Sequence, residues 1–258
     1  MSQGQKARVQ EQFGASAAAY VTSVGHAGGP DLDLLVRWGR ARAAARALDL
    51  ATGAGHTALA FSEFIPSVIA TDLTLPMLGV ARAFVAERGR RAVRFLAADV
   101  EALPFRDESF DLVTCRIAAH HFPAILPAMR EAARVLRRGG SLLLQDILGH
   151  EDPAAAAFIL EVERRRDPSH VRSAPRLEWL AFLRAAGLTV IDDAVIEKER
   201  VWDDWTGRMR MRPDARADLE RFVREAPAAC RAAFDFRLAD GRVVAFTDRM
   251  LLLRADKD

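Results

Sequence analysis

Three aspartates lie in or at the end of apolar segments, where their carboxylates could bind the polar groups of a small ligand. Asp49 interrupts the run 47–51, Asp72 ends the run 68–72, and Asp99 closes the run 93–100. Such runs are typical of buried parallel strands, and the carboxyl ends of parallel strands meet in one crevice. We therefore expect the three carboxylates to converge, with Asp72 accepting hydrogen bonds from both hydroxyls of a ribose.

A short glycine turn follows the first apolar run. Gly53 and Gly55 stand in the sequence Ala-Thr-Gly-Ala-Gly, just before a segment, 57–64, that can form a helix. Glycine has no Cβ, so backbone N–H groups in such a turn can approach a ligand closely. A strand, a glycine turn and a helix start together predict the cofactor-binding edge of an α/β sheet.

Four histidines are candidates for proton transfer near neutral pH. His120 and His121 follow a predicted strand at 110–115, His150 follows the next predicted strand, and His26 lies in a polar N-terminal segment. We expect one of the adjacent pair to face the cofactor pocket and the other to pack beside it. Adjacent histidines cannot form the helical i, i+4 metal pair, and no cysteine or carboxylate cluster adjoins them, so no metal site is predicted.

The elements that would position these groups follow from hydrophobic periodicity, turn residues and cap residues. Strands are predicted where apolar runs are short, at 47–51, 68–72, 93–100, 110–115, 141–147, 188–196 and 242–253. Helices are predicted at 8–19, 31–45, 57–64, 75–88, 123–137, 153–166 and 175–186. A turn is expected at Gly139 and Gly140, before the fifth strand.

Composition sets limits on the class of protein. A chain of 258 residues that is 50% hydrophobic fits one domain with a substantial core. A net charge of only +2 argues against nucleic-acid binding driven by bulk charge. Cys115 and Cys230 are too few for a disulfide scaffold. The first residues lack the apolar core of a signal peptide and no apolar run could span a bilayer, so a cytoplasmic protein without a membrane span is expected.

Taken together, these motifs resemble a known family. The chain is similar to class I S-adenosylmethionine-dependent methyltransferases, in the branch of the ubiquinone/menaquinone-type C-methyltransferases (methyltransferase type 11 domain). The matching segments occur in family order and cover about residues 45–148; they are 49–55, 71–78, 98–105, 109–116, 120–122 and 134–140.

The resemblance implies a Rossmann-like, seven-stranded α/β sheet with helices on both faces. It also implies a single domain over 1–258, in which 1–45 forms N-terminal helices and a lid, 46–150 the cofactor-binding core and 151–258 the substrate-side half. An insertion at about 201–234, before the last strand, is expected to be helical. Its apolar side chains, Trp202, Trp205 and Met209 among them, either form a satellite core or contribute to an acceptor pocket.

The implied cofactor is S-adenosyl-L-methionine, with S-adenosyl-L-homocysteine as product. In the family, the acidic residue at Asp99 accepts a hydrogen bond from the adenine amino group, and the N–H of Val100 bonds the ring. The residues assigned to the cofactor are Tyr20, Asp49, Ala51, Thr52, Gly53, Gly55, Asp72, Leu73, Met77, Asp99, Val100, Arg116 and His121. His26, on a lid at 20–29, joins His120 and His121 as a candidate catalytic residue.

The implied activity is methyl transfer to a small-molecule acceptor, by C- or O-methylation of what could be a ring-bearing metabolite, in a monomer or homodimer. Two departures from the family pattern leave the acceptor open: Ala51-Thr52 replaces the more frequent Gly-Cys, and the insertion is not standard for quinone enzymes. One alternative is a non-catalytic protein that binds the same cofactor. A NAD(P)-dependent oxidoreductase is opposed by Ala58 in place of a third glycine and by the absence of a Tyr-x-x-x-Lys pair.

Overall fold

The fold is given by a computed structural model, which describes residues 2–21, 28–90 and 92–258. The strands are β1 Arg46–Leu50, β2 Ser67–Asp72, β3 Arg94–Ala97, β4 Phe110–Arg116, β5 Leu136–Ile147, β6 Leu188–Val201, β7 Arg237–Ala239 and β8 Arg242–Lys257. The helices are α1 Ser2–Val21, α2 Pro30–Arg40, α3 His56–Phe61, α4 Leu75–Glu87, α5 Ile125–Val135, α6 Pro153–Arg166, α7 Arg176–Ala185, α8 Trp202–Gly207, α9 Pro213–Glu225 and α10 Ala228–Ala232.

Seven strands form one continuous sheet in the order β3-β2-β1-β4-β5-β8-β6. The first five are parallel to one another, whereas β8 runs antiparallel to both β5 and β6. The short β7 pairs with β8 alone and makes an eighth strand. The predicted Rossmann-like sheet is confirmed, and its strand order reverses beside β1, where such sheets bind ligands.

Helices cover both faces of the sheet, as predicted. Leu35 of α2, Phe61 of α3 and Phe84 of α4 pack in the core on one face. Met129 of α5 and Trp179 of α7 pack in the core on the other face. Since both faces are buried, the central strands carry near-continuous aliphatic runs.

The insertion after β6 is helical, as expected, and consists of α8, α9 and α10. Trp202 and Trp205 of α8 are almost completely buried in a separate apolar cluster that includes Phe158 of α6 and Phe246 of β8. These aromatic side chains therefore fix the insertion to the sheet, since large aromatic groups dominate core energetics.

Several predicted boundaries differ from the structure. Helix α1 is longer than 8–19, and β6 continues to Val201. β3 ends at Ala97, because the Asp99 carboxylate accepts the Glu101 N–H and the chain turns there. β5 begins at Leu136, and the predicted turn at Gly139 and Gly140 lies in the stretch between Leu136 and Ser141 that is not paired with β4, where Gly139 has φ 71°. In residues 2–21, 28–90 and 92–258, no helix has the length and apolar character needed to cross a membrane.

Candidate functional site

A cavity opens at the carboxyl ends of β1 to β4, with α1 along one side, and we call it the cofactor cavity after the ligand that the sequence predicts. This is the position at which a doubly wound sheet binds ligands. The cavity is lined by Lys6, Val9, Phe13, Ala51, Gly53, Ala54, His56, Asp72, Leu73, Thr74, Met77, Asp99, Val100, Arg116, Ile117, Ala118, His121, Phe122 and Pro123.

The two glycines of the turn after β1 have different roles. Gly53 lines the cavity at φ 55°, and a Cβ built there would meet no protein atom. Gly55 has φ 87° and does not line the cavity; its Cβ would lie 3.1 Å from the Ala81 Cβ and 3.2 Å from Val85 Cγ2. Gly53 thus leaves room for a ligand, whereas Gly55 lets the start of α3 approach α4 closely.

Asp72 ends β2 at the cavity and organises the surrounding loops. Its Oδ2 accepts the Gly53 N–H at 2.9 Å, and its Oδ1 accepts the Thr74 N–H at 2.8 Å. Burial raises the pKa of the Asp72 carboxyl, although these amide donors oppose the shift. The carboxylate lies at the end of β2, beside the glycine turn, as the sequence predicted.

Asp49 lies behind the cavity wall, not in it. Its carboxylate accepts hydrogen bonds from the hydroxyls of Thr52 and Thr114, both at 2.6 Å. Burial raises the pKa of Asp49 to about 6. Neither Asp49 nor Thr52 lines the cavity, so their contribution is to hold the turn in place for Gly53.

The far end of the cavity carries a cation that sequence reasoning missed. Lys6 of α1 reaches across to Asp99 and Glu101, with its Nζ 2.6 Å from a carboxylate oxygen of each. Burial alone would lower the pKa of Lys6, but these two acidic partners hold it above its ordinary value. The ion pairs attach α1 to the loop after β3, directly beside Val100.

Arg116 lines the cavity at the end of β4 and is held by a buried polar network. Its Nη2 donates to Asp31 Oδ2 and its Nε to Gln145 Oε1, both at 2.9 Å. Lys198 Nζ lies 3.5 Å from the same Asp31 oxygen. Burial alone would raise the pKa of Asp31, but these cations and the Gln145 amide keep it low. The network joins α2, β4, β5 and β6 around one guanidinium.

The adjacent histidines occupy different environments in a 3₁₀ turn at Ala119–His121. His121 lines the cavity, and its Nδ1 lies 3.1 Å from the Ser169 carbonyl oxygen. Burial and the neighbouring His120 lower the pKa of His121 to about 4. A neutral His121 at physiological pH fits an Nδ1–H that donates to that carbonyl.

His120 is buried against Asp146 and does not line the cofactor cavity. Its Nδ1 is 2.5 Å from Asp146 Oδ1, and its backbone N–H donates to the other carboxylate oxygen. Burial alone would lower the pKa of His120, but Asp146 raises it. The Nδ1 contact leaves Nε2 as the ring nitrogen for exchanging a proton with a ligand.

A second, smaller space adjoins the first, and we call it the inner chamber. It shares Phe13, Ile117 and His121 with the cofactor cavity, so the two spaces meet at these side chains. The inner chamber is lined by Phe13, Ile117, His120, His121, Ile147, Glu163, Arg166, Asp167, Arg200, Trp205, Arg208 and Asp248. Most of these residues follow β5, outside the motifs from which the site was predicted.

The shared wall contains a backbone conformation that a β-branched residue rarely adopts. Ile117 has φ 53°, and its N–H donates to the Gln145 carbonyl oxygen at 2.8 Å. Left-handed backbone costs an L-residue about 1–2 kcal/mol, and such strain clusters at functional sites. Ile117, Lys6, Phe13 and Glu163 were not singled out from the sequence, because no motif distinguishes them from core or surface residues.

The remaining predicted residues are placed as follows. Leu73 and Met77 line the cofactor cavity, whereas His150 lies apart from both spaces, with its ring 5.5 Å from that of Phe234. Tyr20 is in the last turn of α1, where side chains are outside the described part, and His26 is outside the described residues altogether.

The insertion contributes less to the site than expected, because Trp205 lines the inner chamber but Trp202 and Met209 line neither space. The part of the chain that the structure describes holds no cluster of three metal-ligating side chains.

Comparisons with known proteins place this site in a family context. A family model described as a methyltransferase domain matches residues 48–144. An uncharacterised methyltransferase of Bacillus subtilis, YcgJ, is 37% identical over 246 residues, which are 95% of this chain and 97% of the relative. A solved structure of the protein BH2331 from Bacillus halodurans has a TM-score of 0.86 at 39% identity, covering 89% of this chain and 99% of that one.

A quinone-pathway enzyme is similar over a shorter range. The demethylmenaquinone methyltransferase of Thermus thermophilus is 42% identical over 119 residues, which are 45% of this chain and 52% of the relative. The aligned length is about that of the predicted cofactor-binding core. Similarity of this extent supports a common cofactor and leaves the acceptor undefined.

Proposed function

The chain belongs to the S-adenosylmethionine-dependent methyltransferases, and from that premise we propose that it methylates a small-molecule acceptor held in the inner chamber. The observation that carries the proposal is the junction of two spaces at His121, one suited to a nucleoside cofactor and the other to a compact second ligand. A methyl group has to pass between two bound molecules in contact, and two adjoining spaces provide that arrangement.

The residues of the first cavity fit the cofactor. Asp72, which lines the cavity, is assigned to the ribose hydroxyls, and the open space at Gly53 is assigned to the part of the cofactor that joins the ribose to the methionine portion. Asp99 and the Val100 N–H are assigned to the adenine. Arg116, whose guanidinium is held by Asp31 and Gln145 and lines the cavity, is assigned to the carboxylate of the methionine portion, because hydrogen bonds between a guanidinium and a carboxylate are charge-assisted.

S-adenosylmethionine supplies an activated methyl group: its transfer breaks the carbon–sulfur bond, leaves that electron pair on the thioether product and forms a bond to the acceptor, which loses a proton. The chain's own residues align and desolvate the acceptor, and alignment provides much of the rate gain. We assign the departing proton to Nε2 of His120, with Asp146 as the positioning residue.

Both oxygen and activated ring carbon remain candidate acceptor atoms, since each has to lose a proton. Partial similarity to quinone C-methyltransferases favours carbon, and it covers less than half of this chain for the Thermus thermophilus enzyme. The expected single domain over residues 1–258 stays a proposal, supported by a sheet that uses strands from both halves.

Calorimetry tests the cofactor assignment. S-adenosylhomocysteine should bind with micromolar or tighter affinity, equivalent to about 8 kcal/mol, and NADH should not compete. Tight NADH binding without binding of S-adenosylhomocysteine would overturn the assignment.

A further inference from the structure

The inner chamber contains a buried carboxyl group that has an unused hydrogen-bonding atom. The Glu163 side chain is only 3% exposed. Its Oε2 lies 3.3 Å from Arg166 Nη1, but its Oε1 has no hydrogen-bond partner among the described residues. A buried polar atom without a partner costs about 1–3 kcal/mol, so a ligand that supplied a partner would be stabilised there.

Charges in the inner chamber already compensate one another. Three arginines, Arg166, Arg200 and Arg208, and three carboxyl groups, Glu163, Asp167 and Asp248, line the chamber, and Arg166 is paired with Glu163. Arg200 Nε donates to Asp248 Oδ2 at 2.6 Å within the buried wall. A charged acceptor would have to break such a pair or remain unpaired in a buried space, and both are costly.

The other walls are apolar or aromatic. Phe13, Ile117, Ile147 and Trp205 line the chamber together with the polar groups. The Arg166 guanidinium lies 4.3 Å from the centre of the Trp205 ring, and its Nε donates to the Trp205 carbonyl oxygen. These two contacts fix the orientation of the guanidinium. These apolar and aromatic surfaces suit a flat ring.

We infer that the acceptor is a compact, uncharged, ring-bearing molecule with a hydroxyl group that hydrogen-bonds to Glu163 Oε1, at a position other than the one that is methylated. A hydroxyl group suits this carboxyl in either protonation state, because it both donates and accepts. Burial raises the pKa of Glu163 to about 7, so both states occur near neutrality. The inference rests on the proposed function, since it identifies the chemical class of the second ligand.

Ligand-observed NMR on the protein saturated with S-adenosylhomocysteine tests the inference with three probes of similar size. Catechol carries two hydroxyl groups and no charge, whereas benzoate and phenyl phosphate are anions. Catechol should bind at least about tenfold more tightly than either anion, because only it leaves the internal ion pairs intact. Equal or tighter binding of an anion, or no binding of catechol, would overturn the inference.

Variants locate the contact. Glu163→Gln keeps the side-chain volume but removes the carboxylate. This change should weaken the binding of catechol at least about threefold. Glu161→Gln is the matched control, since Glu161 lies on the same helix, is half exposed and pairs with Arg165. An equal effect of the two changes would contradict the contact at Glu163. The probe comparison on the wild type needs no variant and stands if Glu163→Gln does not fold.

The cofactor measurement separates this inference from the proposed function. If S-adenosylhomocysteine does not bind the wild type, the proposed function and the inference both fail. If it binds but the anions match catechol, only the chemical class of acceptor is wrong.

Discussion

At the scale of single residues, Asp72 has two roles, because its carboxylate holds the loops around the glycine turn and is assigned to the ribose hydroxyls. Removing a carboxylate that accepts from two hydroxyls loses charged hydrogen bonds of about 1.5–3 kcal/mol each. We predict that Asp72→Ala weakens the binding of S-adenosylhomocysteine at least tenfold, as measured by calorimetry. Asp107→Ala, at an exposed carboxylate paired with Arg134, is the control and should leave the affinity unchanged. A folded Asp72→Ala protein with wild-type affinity would place the ribose elsewhere.

His121 makes a prediction about pH. Its pKa is about 4 in the folded chain, below the ordinary 6.5, because burial and His120 disfavour its charged form. Above pH 6.5 the residue is neutral in both states and costs nothing. As pH falls from 6.5 towards 4, the unfolded chain gains a proton that the folded chain does not, so the free energy of unfolding falls by roughly 2–3 kcal/mol from this residue.

Urea unfolding at pH 6.5 and pH 4.5 measures that loss. His121→Gln cannot take up the proton, so its stability should fall less between the two pH values than that of the wild type. His150 lies outside the two spaces, so the stability of His150→Gln should fall between the two pH values as much as that of the wild type. An equal fall in stability of the wild type and of His121→Gln would mean that His121 is not the residue whose lowered pKa causes the loss.

At the scale of elements, the two glycines of the turn between β1 and α3 have different roles: Gly55 serves the stability of the fold and Gly53 serves ligand binding. Gly55→Ala forces a Cβ towards Ala81 and Val85 in a left-handed backbone, and should cost about 1–3 kcal/mol of unfolding free energy. A Cβ at Gly53 would meet no protein atom, so Gly53→Ala should lower the free energy of unfolding by only about 1 kcal/mol, from its left-handed backbone. The same change should weaken the binding of S-adenosylhomocysteine severalfold. Urea unfolding and calorimetry on both variants check this, and the reverse pattern of effects would contradict the assigned roles.

Helix α1 is attached to the cofactor cavity through Lys6. Each partly exposed ion pair contributes up to about 1 kcal/mol, so Lys6→Ala should loosen α1 and raise the dissociation rate of S-adenosylhomocysteine severalfold. Lys257→Ala is the matched control, since that lysine is equally exposed and pairs with Glu108 away from the cavity. Slower dissociation from Lys6→Ala would mean that Lys6 competes with the ligand for Asp99. Stopped-flow displacement measures both rates.

The sequence predicted the elements that carry periodic or motif signals and missed those set by tertiary contacts. Asp72 was placed correctly at the end of β2, because a strand end is visible as the end of an apolar run. Glu163 lies in a charged stretch that carries no motif, and its burial depends on packing of α6 against the insertion. Whether Trp202 belongs to a core or to the acceptor pocket could not be read from the sequence, because its aromatic neighbours are brought together only by the fold.

At the scale of the whole molecule, the two halves of the chain line different spaces. β1 to β4 supply the cofactor cavity, while the segments after β5 supply most of the inner chamber. The similarity to the quinone enzyme covers less than half of the chain, but YcgJ is similar over nearly all of it. We therefore expect YcgJ to share the acceptor class, as a site built from both halves would require.

The central claim is that a methyl group passes from S-adenosylmethionine to a small molecule. The most direct measurement incubates the purified chain with trideuteromethyl-labelled cofactor and a small-molecule metabolite extract, followed by mass spectrometry. The account predicts a new low-mass product bearing one labelled methyl group with the wild type and much less with Asp72→Ala. Label found only in protein or nucleic acid of an unfractionated extract, or no label in any fraction despite tight cofactor binding, would contradict the account.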